Sequence, residues 1–125
     1  MIYGIGVDLV KIKRMEDIIS RWGDRFINRV FTPKEVDVCK GRVFPASAFS
    51  LRFAAKEAFS KAIGMGMTGG MNWRDIEVFH KSGGQPCLRL YGRPSEFCRG
   101  KKIKVLHLSL SDDSEYGVAM VVLEQ

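Results

Sequence analysis

No stretch of this 125-residue chain stays apolar for the roughly 20 residues that a membrane-spanning helix requires. The first residues, Met1-Ile2-Tyr3-Gly4-Ile5-Gly6-Val7-Asp8-Leu9-Val10, contain no basic segment ahead of an apolar one and no cleavage site. They therefore read as lacking a secretion signal, and the expected location is the cytoplasm, with no membrane partner. Cysteine is scarce: Cys39, Cys87 and Cys98 are odd in number, far apart and free of any CxxC spacing. A disulfide framework and a thiolate zinc site are both disfavoured, leaving three reduced, partly buried thiols. There are no internal repeats, no low-complexity tract and no linker. Zinc-finger spacing, an RNA-recognition strand signature and a helix-turn-helix pattern are missing too. A nucleic-acid-binding module thus rests only on charge and scattered aromatics, and no nucleic acid is expected as a partner.

What remains is one domain's worth of chain, residues 1–125, with 46% hydrophobic residues and a formal net charge of +6. The surplus of cations points to an acidic partner without choosing among them. Residues 2 to 10 read as a short buried strand weakened by Gly4 and Gly6. Ile12, Met15, Ile18, Ile19 and Trp22 then recur at helical spacing, Gly23 supplies a stop, and Asp24 to Val30 reads as a further turn or two. Thr32-Pro33-Lys34-Glu35 carries a full helix-start signal: a capping hydroxyl, proline at the first helical position and a glutamate placed for a capping box. That helix should run to Lys40 and end at Gly41. The longest helix is predicted from Ser47 to Ile63, with Gly64 at its end and a Gly- and Met-rich loop after it. Asp75–His80 and Pro86–Tyr91 form a predicted hairpin across Lys81-Ser82-Gly83-Gly84-Gln85. A short helix over Pro94–Arg99 and a second hairpin, Ile103–Ser111 with Tyr116–Glu124, complete an α+β fold. Its mainly antiparallel sheet packs on one long helix and shorter helices.

On a helical wheel at about 100° per residue, Leu51, Ala54, Ala55, Ala58, Phe59 and Ala62 share the arc expected to face the core. Glu57 and Lys61 lie at one edge of the other arc, and Arg52 and Lys56 at the opposite edge. Phe49 and Phe53 project between them, which demands cover from elsewhere in the fold or from another subunit. By spacing, Glu57 and Lys61 read as a surface i, i+4 ion pair. Asp8, after an apolar strand, reads as a strand-end cap, a turn residue or a ligand. Two carboxylates from separate elements, one beside a lysine, also suit a hard cation and a phosphate: magnesium prefers oxygen donors and keeps several waters, and an ammonium neutralises phosphate as a point charge.

Three segments in order resemble one family. They are Gly4-Ile5-Gly6-Val7-Asp8-Leu9-Val10, Phe31-Thr32-Pro33-Lys34-Glu35, and Arg52-Phe53-Ala54-Ala55-Lys56-Glu57-Ala58-Phe59-Ser60-Lys61-Ala62 with the glycine-rich loop behind it. Together with the late strand His107-Leu108-Ser109-Leu110-Ser111, they resemble holo-acyl-carrier-protein synthase, the small bacterial class of 4′-phosphopantetheinyl transferases, over nearly the whole chain. The resemblance implies transfer of 4′-phosphopantetheine from coenzyme A to a serine of apo acyl carrier protein, with release of 3′,5′-ADP, in fatty acid biosynthesis. By motif position it implies Asp8 and Glu57 as ligands of a magnesium ion and Lys61 as a contact to the pyrophosphate. Gly64, Gly66, His107 and Ser109 become coenzyme A contacts, and Lys40 and Arg42 the nearest candidates to grip its 3′-phosphate. Ser111, Asp112 and Asp113 stand where many relatives have a second histidine. The family is also implied to be a homotrimer with active sites at subunit interfaces. The acidic carrier protein accounts for the net charge. Arg14, Ile18, Arg21 and Arg25 would form a single docking stripe if the first helix continued past Gly23.

Overall fold

A computed structural model of the chain describes residues 1–68 and 70–125. In chain order the elements are β1 (Ile2–Lys11), α1 (Ile12–Trp22), α2 (Asp24–Val30), α3 (Pro33–Lys40), α4 (Pro45–Ile63), a single 3-10 turn (Trp73–Asp75), β2 (Ile76–His80), β3 (Pro86–Leu90), α5 (Gly92–Gly100), β4 (Val105–Asp112) and β5 (Tyr116–Glu124). The expected α+β class holds, and the described strand pairs are all antiparallel. Strands β1, β5 and β4 form one sheet in that order, while β2 and β3 form a separate hairpin.

The helix-start signal at Thr32 works as written. The Thr32 hydroxyl accepts from the Glu35 amide, the Glu35 carboxylate accepts from the Thr32 amide, and Pro33 occupies the first turn. Each side chain satisfies an amide that the first helical turn leaves without a partner. Helix α4 begins two residues earlier than expected, at Pro45, and ends where Gly64 adopts the left-handed conformation at φ 79°. A glycine enters that region without the steric penalty a Cβ brings.

Helix α4 lies across the inner face of the three-stranded sheet. Ala54, Ala55, Ala58, Phe59 and Ala62 bury themselves against Ala119, Val121 and Leu123 of β5 and against Ile76, Val78 and Leu88 of the hairpin. The closest approach is at β1. A methyl group on Gly4 would stand 2.0 Å from the Ala62 carbonyl oxygen, and one on Gly6 would stand 1.8 Å from that of Ala58. The two glycines are thus the place where helix and strand backbones touch. A second core holds Met15, Ile27, Val30, Phe31, Cys39, Ala48 and Phe49 between α1, α2, α3 and the start of α4. Burial pushes the Cys39 and Cys98 thiols up to about 11, so both stay protonated and unreactive near neutrality.

Two expectations need correction, one open reading is resolved and one helix stop is borne out. Strand β1 is not buried on both faces: Ile5, Val7 and Leu9 alternate onto an exposed outer face. Of the two covers left open for Phe49 and Phe53, the structure supplies the one from elsewhere in the same chain. Phe49 is 2% exposed within the second core, and Phe53 stacks on Trp73 with ring centroids 5.0 Å apart. Arg52 and Lys56 lie on a second buried side of α4 rather than on a solvated edge, because α3 and the β2–β3 hairpin cover it. Gly23 is the stop that the sequence indicated: its φ of 57° ends one helix and starts the next.

Candidate functional site

Asp8 sits inside β1, paired with Ala119 of β5, rather than at the strand end. Alternation puts it on the same face as Gly4 and Gly6, the face toward α4. Its neighbour across the packing seam is Lys61, in the last turn of α4. The Lys61 ammonium donates to Asp8 Oδ1 at 2.9 Å and to the Val7 carbonyl oxygen at 3.0 Å. The Asp8 side chain is 15% exposed and that of Lys61 53%, so the pair lies at the mouth of the seam. The i, i+4 ion pair between Glu57 and Lys61 does not form. With only hydrogen on Gly4 and Gly6, the helix approaches so closely that Lys61 reaches the strand instead.

Glu57 lies one turn before Lys61 and is half-buried. Burial, and next the charge of Asp8, push its carboxyl above the usual range, while Lys61 pulls it down. A half-buried carboxylate whose ionisation a neighbouring carboxylate opposes marks a place that a hard cation would relieve. Among the described residues no group of three or more His, Cys, Asp and Glu side chains converges. The protein can therefore offer a cation two carboxylates, which fits a magnesium-like ion that keeps water and phosphate as its other ligands.

The remaining predicted residues distribute over three places. Gly64 and Gly66 follow Lys61 directly, with φ of 79° and 64°. Their amides are committed to the carbonyls of Lys61, at 3.1 Å, and Ser60, at 3.2 Å. A ligand could approach this backbone closely but would find neither of those N–H groups free. His107 and Ser109 stand on the outer face of β4, aligned with Val122 and Met120, and His107 Nε2 lies 2.9 Å from Glu124 Oε1. That face is opposite to Asp8, so one chain does not bring them to the carboxylates. Lys40 pairs with Asp24 at 3.2 Å on the surface. Arg42 lines a cleft of about 870 Å³ with Phe44, Arg52, His80 and Asp112. Neither Asp8, Glu57 nor Lys61 lines that cleft.

The docking residues are divided by Gly23. Arg14, Ile18 and Arg21 lie on α1 and Arg25 on α2, so they are not one helical stripe. The turn nevertheless brings Ile18 and Arg25 to a common groove of about 490 Å³ with Trp22, Phe26 and Arg29. Arg14, Arg21 and Arg25 are exposed, and the Arg21 guanidinium stands 5.6 Å from the Trp22 ring centre.

Sequence reasoning missed a buried polar network behind the site. The Lys56 ammonium, fully buried, donates to Glu35 Oε1 at 2.8 Å and to the main-chain carbonyls of Trp73 and Ile76. Glu35 Oε2 accepts from the Val78 amide at 2.9 Å, and the Thr32 hydroxyl donates to Glu77 at 2.6 Å. Burial pulls Lys56 below its ordinary range, and Glu35 opposes that shift. The network ties α3, α4 and β2 together immediately beside Glu57. Only the capping box at Thr32 and Glu35 announced any part of it. That Lys56 would be buried depends on α3 folding over α4, which wheel geometry does not reveal.

A family model described as the 4′-phosphopantetheinyl transferase superfamily matches residues 4–121. A holo-[acyl-carrier-protein] synthase of Geobacter sp. (strain M21) is 45% identical over 125 residues, covering 100% of both chains. One from Koribacter versatilis is 43% identical over 124 residues, covering 99% of each. Among solved structures, the holo-[acyl-carrier-protein] synthase of Neisseria meningitidis superposes with a TM-score of 0.91 at 37% identity, covering 100% of both chains. That of Bacillus anthracis, in complex with CoA (3′,5′-ADP), gives 0.83 at 36% identity, covering 100% of this chain and 98% of that one. That of Helicobacter pylori, in complex with coenzyme A, gives 0.85 at 30% identity, covering 96% and 99%. With the motifs in order, the fold matched end to end and the identity sustained over full length, this chain belongs to the 4′-phosphopantetheinyl transferase superfamily, among its holo-[acyl-carrier-protein] synthases.

Proposed function

We propose that residues 1–125 act as one transferase unit, moving 4′-phosphopantetheine from coenzyme A to a serine of apo acyl carrier protein and releasing 3′,5′-ADP, in the cytoplasm and in the service of fatty acid biosynthesis. The observation that carries the reading is the pairing of Asp8 with Lys61, one helical turn from the half-buried Glu57, on a fold whose relatives include structures with coenzyme A. The reaction is displacement at phosphorus, in which positioning and charge neutralisation supply most of the rate. Lys61 lies in the exposed mouth of the site, where its ammonium can swing to the diphosphate as a point charge. Asp8 and Glu57 would hold a magnesium ion, which would supply charge neutralisation at the attacked phosphate and the leaving group. The backbone at Gly64 and Gly66 lets the pantetheine or nucleotide portion pass close by, and Arg42 in its cleft and the exposed Lys40 are the two candidates for the 3′-phosphate.

The carrier protein docks on α1 and α2, where Arg14, Arg21 and Arg25 surround the apolar Ile18 and Trp22; an acidic helix would match this charge and its exposed hydrophobic floor. Copies of the chain assemble as a homotrimer through the outer sheet face. Ile5, Val7, Leu9 and Met120 are between 47% and 62% exposed there, a row of apolar side chains that an isolated monomer would leave in water. His107 and Ser109 stand on that same face, so assembly can deliver them to a ligand that one chain alone cannot bring to them.

The test is a mass measurement. Incubated with coenzyme A, magnesium and the protein, apo acyl carrier protein should gain one phosphopantetheine, and EDTA should abolish the gain. An unchanged carrier mass would refute the reading. Salt-dependent binding to random nucleic acid would then promote a nucleic-acid module in its place.

A further inference from the structure

Lys61 occupies a position that the two carboxylates make attractive to any cation. Its ammonium is 2.9 Å from Asp8 Oδ1 and is held in place by a second acceptor, the Val7 carbonyl oxygen, at 3.0 Å. Asp8 is mostly covered, at 15% side-chain exposure, and part of what covers it is the Lys61 ammonium at 2.9 Å. Lys61 is 53% exposed, its ammonium sits on a flexible four-carbon stem, and that ammonium makes no other hydrogen bond among the described residues. Glu57 does not bind it, although the charges of both Asp8 and Lys61 reach the Glu57 carboxyl in opposite directions.

We infer that Lys61 is a built-in competitor for the divalent cation at Asp8, and that the diphosphate of coenzyme A removes the competition by drawing the ammonium away from the carboxylate. This rests on the reading of Asp8 and Glu57 as the cation site. The physical argument is a comparison of partners. Without coenzyme A, a divalent ion approaching Asp8 must displace the ammonium or accept its repulsion at close range. A diphosphate offers Lys61 more negative charge than one carboxylate, and an exposed lysine can exchange one anion for the other at little cost. Asp8 is then free to ligate. Cation and coenzyme A therefore bind with positive coupling, and by linkage each raises the other's affinity by the same factor. The free enzyme would leave the cation largely in solution, so the charged site assembles only around its co-substrate.

Manganese is a usable probe, because its free-ion electron paramagnetic resonance signal reports binding without turnover. Lys61→Gln and Lys61→Met should bind manganese about ten-fold more tightly than wild type in the absence of coenzyme A. Coenzyme A should tighten manganese binding less in these variants than in wild type. Lys61→Arg, which retains the charge, should return the coenzyme-free affinity toward the wild-type value. Manganese affinity unchanged or weakened in both neutral variants, with Asp8→Asn still showing lost binding, overturns the competition while leaving the metal site standing. Failure of wild type to bind manganese even with coenzyme A, or equal binding by Asp8→Asn, removes the metal site itself and the competition with it.

Discussion

Gly6 lies against Ala58 so closely that a single methyl group on the glycine would stand 1.8 Å from the alanine carbonyl oxygen. This contact, with its counterpart at Gly4, sets how near α4 comes to β1, and so whether Lys61 can reach Asp8.

Gly6→Ala should destabilise the protein by about 3 kcal/mol, since neither backbone can yield without unpacking the core. Gly64→Ala meets open space but must hold φ at 79°, and should cost about 1 kcal/mol. Thermal melts should rank the two in that order; equal melting temperatures would mean that the helix does not sit on β1 as described.

Asp8→Asn keeps the side chain's shape and removes its charge. Transfer to apo acyl carrier protein should fall at least about a hundred-fold, with the melting temperature near that of wild type. Magnesium titration of the residual rate should show no saturation in the wild-type range. A variant that transfers at the normal rate would exclude Asp8 from the metal site.

Glu77 predicts a component of acid sensitivity. Burial pushes its carboxyl up, but hydrogen bonds from Thr32 and Tyr91 and the charges of Arg89 and Lys34 outweigh this and hold it below 4.5. The unfolded chain therefore binds the proton more readily. The stability from this group is present above pH 4.5 and is lost as pH falls through the lower folded value. Glu77→Gln should flatten the part of the melting-temperature profile that lies below pH 4.5. A parallel profile in the variant would show that the carboxylate is not the origin.

Charge reversal at Arg14 or Arg21 should weaken carrier-protein binding about ten-fold and make it less salt-dependent, while coenzyme A binding stays nearly intact. Calorimetry with each ligand separately makes the comparison. Equal losses for both ligands would place these arginines elsewhere than in a docking surface.

Val7→Glu, or Met120→Glu on the neighbouring strand, puts charge into the exposed apolar row of the outer sheet face. Sedimentation should show dissociation to a folded monomer, accompanied by loss of transfer activity. A variant that keeps the wild-type oligomeric state would move the interface off this face.

The helix starts and stops were legible because they depend on neighbouring residues alone. Thr32, Pro33 and Glu35 carry their own capping partners, and Gly41 and Gly64 end helices wherever the chain goes next. The same holds for the hairpins and for the alanine face of α4. Locality also explains the errors. Arg52 and Lys56 looked solvated because a wheel shows one helix without the elements that fold over it. Phe49 looked unpartnered for the same reason, since its partners Phe31 and Met15 arrive from other segments.

The site divides along the same line. By itself the sequence determined which residues bear charge, that Asp8 follows two glycines, that Glu57 and Lys61 share a helix edge, and, through the ordered motifs, the family. Only the tertiary structure decided that Lys61 turns away from Glu57 to Asp8, that Asp8 lies within β1 and not at its end, and that His107 and Ser109 face the other side of the sheet. The reason is physical: side-chain pairing across 53 residues depends on the distance between two backbones. That distance is set by what packs between them, which here, at Gly4 and Gly6, is nothing larger than hydrogen.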